Sequence, residues 1–192
     1  LQQRDFDCFL LAGRYTLLEQ DALDAFLPLC EARGAAVLVG GGFNSGILAT
    51  GAKPGAKYNY TPAPAHILEK VAKIESVCAR FNVPLPAAAL QFVVAHPAVP
   101  SFCAGTRTVA QLKQNLDWFA HPIPSDFWAT LKSEGLLRED APVGHRRLHG
   151  EDIDLVVLRG MERRCGRAGH PRAVRAGLRV LDLGFQHRGH AI

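Results

Sequence analysis

The apolar run Ala35-Ala36-Val37-Leu38-Val39 passes directly into Gly40-Gly41-Gly42-Phe43-Asn44-Ser45-Gly46-Ile47-Leu48. A short strand that opens into a glycine-rich loop leaves backbone N–H groups unshielded by side chains, which suits a phosphate or pyrophosphate. A plain turn uses the same residues, so the loop takes its meaning from what lies on either side.

Upstream, Cys8-Phe9-Leu10-Leu11 reads as a buried strand that ends at Gly13-Arg14-Tyr15. Between the two strands, residues 21–33 place Leu23, Phe26, Leu27 and Cys30 at helical intervals, with Gly34 where a helix C-cap belongs. Strand, helix and strand make a βαβ unit. Residues 40–63 then form a long loop carrying Gly51, Pro54, Gly55 and Pro62, and loops of that length in compact domains are usually functional. Its tip, Tyr58-Asn59-Tyr60, either covers a ligand or lies on the surface.

A helix is expected from about Pro64, with Ile67, Leu68, Val71, Ile74, Val77 and Cys78 on one apolar face and Lys70, Lys73 and Arg80 elsewhere. A second spans roughly 86–95. Residues 99–103 give a third strand, which runs into Ala104-Gly105-Thr106-Arg107 and a helix containing Val109, Leu112, Leu116 and Trp118. After Pro124, Ser125-Asp126 is expected to cap a last helix that turns Phe127, Trp128 and Leu131 toward a core. This order predicts an α/β fold with parallel strands joined by helical crossovers. Ligands collect at the C-terminal ends of such strands, so loops 40–46 and 105–107 should face the same side.

Charge divides the chain. Residues 1–143 hold 6 Lys and 6 Arg against 13 acids, a net of −1, whereas residues 144–192 hold 10 Arg and no Lys against 5 acids, a net of +5. The second segment also has five of the eight histidines, and one aromatic, Phe185, where a nucleic-acid arm would mix Lys with Arg and carry stacking rings. Arg, Gly, Ala and His without Lys is what a GC-rich gene yields out of frame. Residues 144–192 are therefore expected to be a disordered or frameshift-derived tail, with residues 152–158 as a candidate strand and 172–181 as a candidate basic helix. Five widely spaced cysteines without a CxxC pair argue for buried free thiols and against zinc. No apolar stretch is long enough to span a bilayer and no signal peptide is evident, which gives a cytoplasmic expectation.

With its blocks in this order, the chain resembles the C-terminal half of the aldo-keto reductases, in the branch of D-threo-aldose (L-fucose or D-arabinose) 1-dehydrogenases. Gly13-Arg14-Tyr15-Thr16-Leu17-Leu18-Glu19-Gln20 resembles that branch at its sixth barrel strand. Phe43-Asn44-Ser45-Gly46-Ile47-Leu48 resembles the loop after strand seven, and Gly105-Thr106-Arg107 through Gln114-Asn115-Leu116 the loop and helix after strand eight. Leu85-Pro86-Ala87-Ala88-Ala89-Leu90-Gln91-Phe92 and Leu131-Lys132-Ser133-Glu134-Gly135-Leu136-Leu137 fit as well. The likeness covers about residues 1–143. Ala104 stands where the family usually has Pro, and Gly42 where the loop commonly has Pro.

The resemblance implies strands six to eight of a (β/α)8 TIM barrel that binds NADP or NAD across the C-terminal ends of its strands. Tyr15 would stack on the nicotinamide. Phe43, Asn44, Ser45, Gly46 and Leu48 would line the pyrophosphate. Gly105 and Arg107 would hold the adenosine end, with Arg107 able to fork onto a 2′-phosphate, and Gln111, Gln114 and Asn115 would contact adenine or its ribose. The implied reaction is oxidation of an aldose at C1 to the lactone. The family's catalytic Asp, Tyr, Lys and His lie on the first four strands, so this chain alone is expected to lack catalysis. An alternative is a non-enzymatic half-barrel whose basic tail binds nucleic acid or an acidic partner; another is a half-barrel that dimerises.

Three barrel strands leave unpaired edges and an apolar inner surface in water. The isolated chain is therefore expected to self-associate or to unfold over a broad range. Light scattering with calorimetry checks this, and a monomer with one sharp cooperative transition would contradict it.

Overall fold

The computed structural model describes residues 6–144. Residues 144–192 as a tail, with its candidate strand, helix and Cys165, thus lie outside the described residues except at Gly144. Three parallel strands, β1 (Cys8–Ala12), β2 (Ala36–Gly40) and β5 (Ser101–Cys103), form a sheet in the order β1-β2-β5. Leu10 pairs with Leu38 and Leu38 with Ser101, while Val39 lies between Leu11 and Phe102. Alternation of side chains then sorts the sheet into two faces. Phe9, Leu11, Val37, Val39 and Phe102 pack on the core. On the other face Cys8, Ala12 and Cys103 are exposed, and Leu10 is 69% exposed.

Helices cover the packed face. In α3 (Ala65–Phe81) the buried residues are Ile67, Val71, Ile74, Val77 and Cys78, the stripe its sequence spacing predicts. α4 (Leu85–Ala95) is buried over nearly its whole surface and has one polar residue, Gln91. α6 (Ser125–Ser133) packs on α3, with Phe81 and Phe127 edge to face at 5.9 Å. α1 (Phe26–Ala32) lies against β2.

Several expectations need correction. Residues 21–33 are not one helix: a 3₁₀ turn at Asp21–Leu23 is separated from α1 by Asp24 and by Ala25, whose φ of −146° and ψ of −39° are not helical. Pro28 is tolerated in the first turn of α1, where its missing N–H would have had no helical partner. No side chain caps α6, because Pro124 takes the N-cap position and Ser125 is already helical. Among the described residues Cys30 and Cys78 are buried thiols, whereas Cys8 and Cys103 are exposed. Lys70 is half-buried, donates to the Leu18 carbonyl at 3.4 Å, and has its pKa lowered by that burial. In α5 (Val109–Ala120) the apolar stripe Val109, Leu112 and Leu116 faces solvent, with Val109 73% exposed, while Asn115 is buried.

The long loop is built rather than loose. It contains a 3₁₀ turn at Asn44–Gly46, the short α2 (Ile47–Thr50), and a hairpin of β3 (Lys57–Tyr58) and β4 (Thr61–Pro62). The hairpin turns at Asn59 and Tyr60, both left-handed, as a two-residue turn of its type requires. The loop leaves α2 through Gly51 at φ 84° and ψ 179°, a region open only to glycine, and the Glu75 carboxylate beside it accepts from Ala52 N at 3.0 Å. Gly51→Ala is expected to destabilise the chain by roughly 1–3 kcal/mol, read as a lower urea midpoint.

Candidate functional site

The loops at the C-terminal ends of the strands rest on one another. Gly13 N donates to the Gly40 carbonyl at 2.8 Å, and a β-carbon on Gly41 would lie 3.3 Å from Gly13 N. At Gly42 a β-carbon would fall 2.2 Å from the Phe102 ring, so the ring of β5 occupies the space that any side chain at position 42 would need. Phe43 then sits edge to face with Phe102 at 5.9 Å and with Trp118 of α5 at 6.1 Å, which joins the loop after β2 to the helix after β5.

Asn44, Ser45 and Gly46 follow with φ of 44°, 60° and 96°. Three left-handed residues in a row fold the loop back, so that Asn44 N bonds Gly41 O at 2.9 Å and both Gly46 N and Leu48 N bond Phe43 O. The Asn44 side chain is turned inward, and neither its Nδ2 nor its Oδ1 has a hydrogen-bond partner. A buried amide left unpaired costs about 1–3 kcal/mol and calls for an explanation. Ser45 is exposed and its Oγ accepts from Tyr60 N at 2.9 Å, tying the hairpin to the loop.

After β5, Gly105, Thr106 and Arg107 are exposed. Thr108 caps α5 by accepting from Gln111 N at 3.2 Å, and Gln111 Oε1 accepts from Arg107 N at 2.8 Å. This reciprocal cap occupies the Gln111 carbonyl oxygen in holding Arg107, a structural duty not expected from the resemblance. Gln114 is exposed on the same helix.

Two of the residues expected to touch the dinucleotide are buried. Tyr15 is wholly buried, with Phe92 at 5.1 Å and His96 edge-on at 5.7 Å, so among the described residues its ring packs with the core. Its hydroxyl is buried without a partner, and desolvation pushes its pKa up. Leu48 is also wholly buried, with its N–H committed to Phe43 O, and it supports the loop from beneath.

Glu19 and Tyr58, which the sequence places in separate segments, form a cluster. The Tyr58 hydroxyl donates to Glu19 Oε1, which also accepts from Arg14 Nη1 at 3.1 Å. The hairpin is thus fastened to the segment after β1 as well as to Ser45. The only sequence signal was the proximity of Arg14 and Glu19 to the strand end. Among the described residues no group of three or more His, Cys, Asp or Glu could hold a metal ion, and no single helix is long and apolar enough to cross a membrane.

The sequence pattern that defines the aldo/keto reductase family matches residues 2–134. The chain belongs to the aldo/keto reductase family. It is 47% identical over 137 residues to a pyridoxal 4-dehydrogenase of Microbacterium luteolum, a match covering 71% of this chain and 40% of that protein. It is 37% identical over 138 residues to a D-threo-aldose 1-dehydrogenase of a Pseudomonas species, covering 71% and 42%. Among solved structures, an aldo-keto reductase of Bacillus halodurans in holo form superposes with a TM-score of 0.54 at 20% identity, over 77% of this chain and 48% of that one. The chain therefore spans about two fifths of the length of the two dehydrogenases and about half of the solved structure, and its three-stranded parallel sheet is part of a (β/α)8 barrel wall. Aldo-keto reductases are oxidoreductases that use NAD(P)H, and the loops after β2 and β5 fit such a group through the unpaired amide of Asn44 and the exposed Gly105 and Arg107.

Burial, reinforced by the Glu19 carboxylate, pushes Tyr58 from 10.0 up to about 12. A raised pKa means that the neutral phenol stabilises the fold below pH 10 and that this contribution is lost as pH rises toward 12. The difference in urea midpoint between the parent chain and Tyr58→Phe is therefore expected to shrink over that interval.

Proposed function

We propose that residues 6–144 are the dinucleotide-holding, C-terminal part of an NAD(P)-dependent dehydrogenase that oxidises a cyclic hemiacetal to a lactone. The observation that carries the binding half of this reading is Asn44: a buried amide with neither atom paired, held by a left-handed loop at the end of a parallel strand. A pyrophosphate oxygen or a carboxamide is the kind of partner that such an amide lacks. Phe43, Ser45 and Gly46 complete that side of the site, and exposed Gly105, Arg107 and Gln114 the adenosine side. Arg107 presents a guanidinium suited to a 2′-phosphate, which favours NADP over NAD.

The substrate class rests on the relatives' names. Pyridoxal and a D-threo-aldose both carry an aldehyde with a hydroxyl able to close on it, so the hemiacetal is their shared chemistry, and an aldose oxidised at C1 is the member expected from the sequence. Oxidation removes a hydride from the hemiacetal carbon and a proton from its hydroxyl. When bound, the nicotinamide supplies the hydride acceptor. To the described residues we assign binding and orientation of the dinucleotide, not transfer of the proton. The nucleic-acid alternative rests on residues 144–192, outside the described residues apart from Gly144.

Titration of the full chain with NADPH and NADH, followed by calorimetry, tests this. Asn44→Gly keeps the left-handed backbone and removes the unpaired amide, so it is expected to weaken NADPH binding about tenfold while leaving the urea midpoint unchanged or higher. Unaltered affinity in that variant would remove Asn44 from the site.

A further inference from the structure

α4 is apolar at every position but one. Gln91 interrupts Leu85–Ala95, and its side-chain amide nitrogen donates to the carbonyls of Trp118, Phe119 and His121 at 3.0, 3.1 and 2.7 Å. Those carbonyls belong to the C-terminal end of α5, where the last carbonyls lack the usual helical donors and Trp118 O accepts only a long bond from His121 N at 3.3 Å. Taken alone, this is a cap supplied from a neighbouring helix.

What the two capped residues touch gives it a wider role. The Trp118 ring lies edge-on to Phe43 at 6.1 Å, and the Phe119 ring edge-on to Phe102 at 6.3 Å. Phe43 belongs to the glycine-rich loop, and Phe102 is the ring that fills the space above Gly42. One amide therefore fixes the backbone of both residues whose rings meet the two sides of the candidate site. The stripe Val109, Leu112 and Leu116 of α5 is exposed, so the helix is held through its other side, which packs on α4.

We propose that Gln91 is a positioning residue: by holding the end of α5 against α4 it sets how the loop 41–46 and the helix carrying Gln111 and Gln114 stand relative to each other, and hence the affinity for a dinucleotide that touches both. The dinucleotide arm rests on the function proposed above; the bracing itself does not. Gln91 sends no atom to the ligand in this scheme and acts only through Trp118 and Phe119.

The test uses the full chain and three variants. Gln91→Leu suits the apolar surroundings of α4 and removes the donor; Gln91→Glu keeps the shape and removes the donor; Gln91→Arg restores one. Amide hydrogen exchange without ligand is expected to rise about tenfold, in Leu and Glu variants alike, both at residues 118–121 and across residues 41–46, and to fall back in the Arg variant. NADPH dissociation constants are expected to follow the same order, rising about tenfold and recovering. Faster exchange confined to 118–121, with 41–46 unchanged, would overturn the proposal and leave Gln91 a local cap. Should the parent chain bind no dinucleotide, the functional reading fails, and exchange across residues 41–46 still decides the bracing.

Discussion

The contact between the Phe102 ring and Gly42 is the constraint on which the rest of the site depends. The ring's place is set by the sheet, since Phe102 is the β5 partner of Val39 in β2 and faces the core side. Its edge then lies where a β-carbon at position 42 would be, so the chain must pass beneath it as bare backbone. Protein interiors are packed too densely for such a contact to be relieved cheaply, so strand register is transmitted into loop shape. Phe43, the next residue, is caught between Phe102 and Trp118, and the left-handed turn at Asn44, Ser45 and Gly46 begins immediately after it.

What could be read in the sequence and what could not differ by range. Ile67, Val71, Ile74 and Val77 show their helix and its buried face together, because burial on one side imposes the spacing. The βαβ order and the glycine-rich turn are equally local. Val109, Leu112 and Leu116 obey the same spacing yet face water: periodicity says which residues share a face, not what that face meets. Tyr15 illustrates the limit at the site. A tyrosine at a strand end can line a ligand or join the core, and its contacts with Phe92 and His96, distant in sequence, are not visible locally. Gly42, which as a replacement for Pro reads as a looser backbone, is fixed by a ring on another strand. The Tyr58 to Glu19 bond is of the same kind, joining two segments whose relation appears only once the hairpin is folded.

The sheet shows two apolar faces of similar composition with opposite fates. Val37 and Val39 are wholly buried under helices, whereas Cys8, Leu10 and Ala12 lie on the uncovered side. In a complete (β/α)8 barrel the inward side chains of all the strands fill one another's space. Among the described residues three strands do so for one another only in part, in keeping with a chain that spans about two fifths of its relatives.

The left-handed run at Asn44, Ser45 and Gly46 also bears on how kinship in this family is to be interpreted. Few residue types accept a positive φ without strain, and three in succession narrow the permitted alphabet before any ligand is considered. Selection for a foldable turn would by itself keep glycine and small polar residues at these positions. Descendants that had abandoned the dinucleotide would still carry the motif, as an inheritance of backbone geometry. The record of function therefore lies outside this loop, in the exposed chemistry of Arg107 and Gln114 after β5, where no such run of left-handed backbone restricts the residue type.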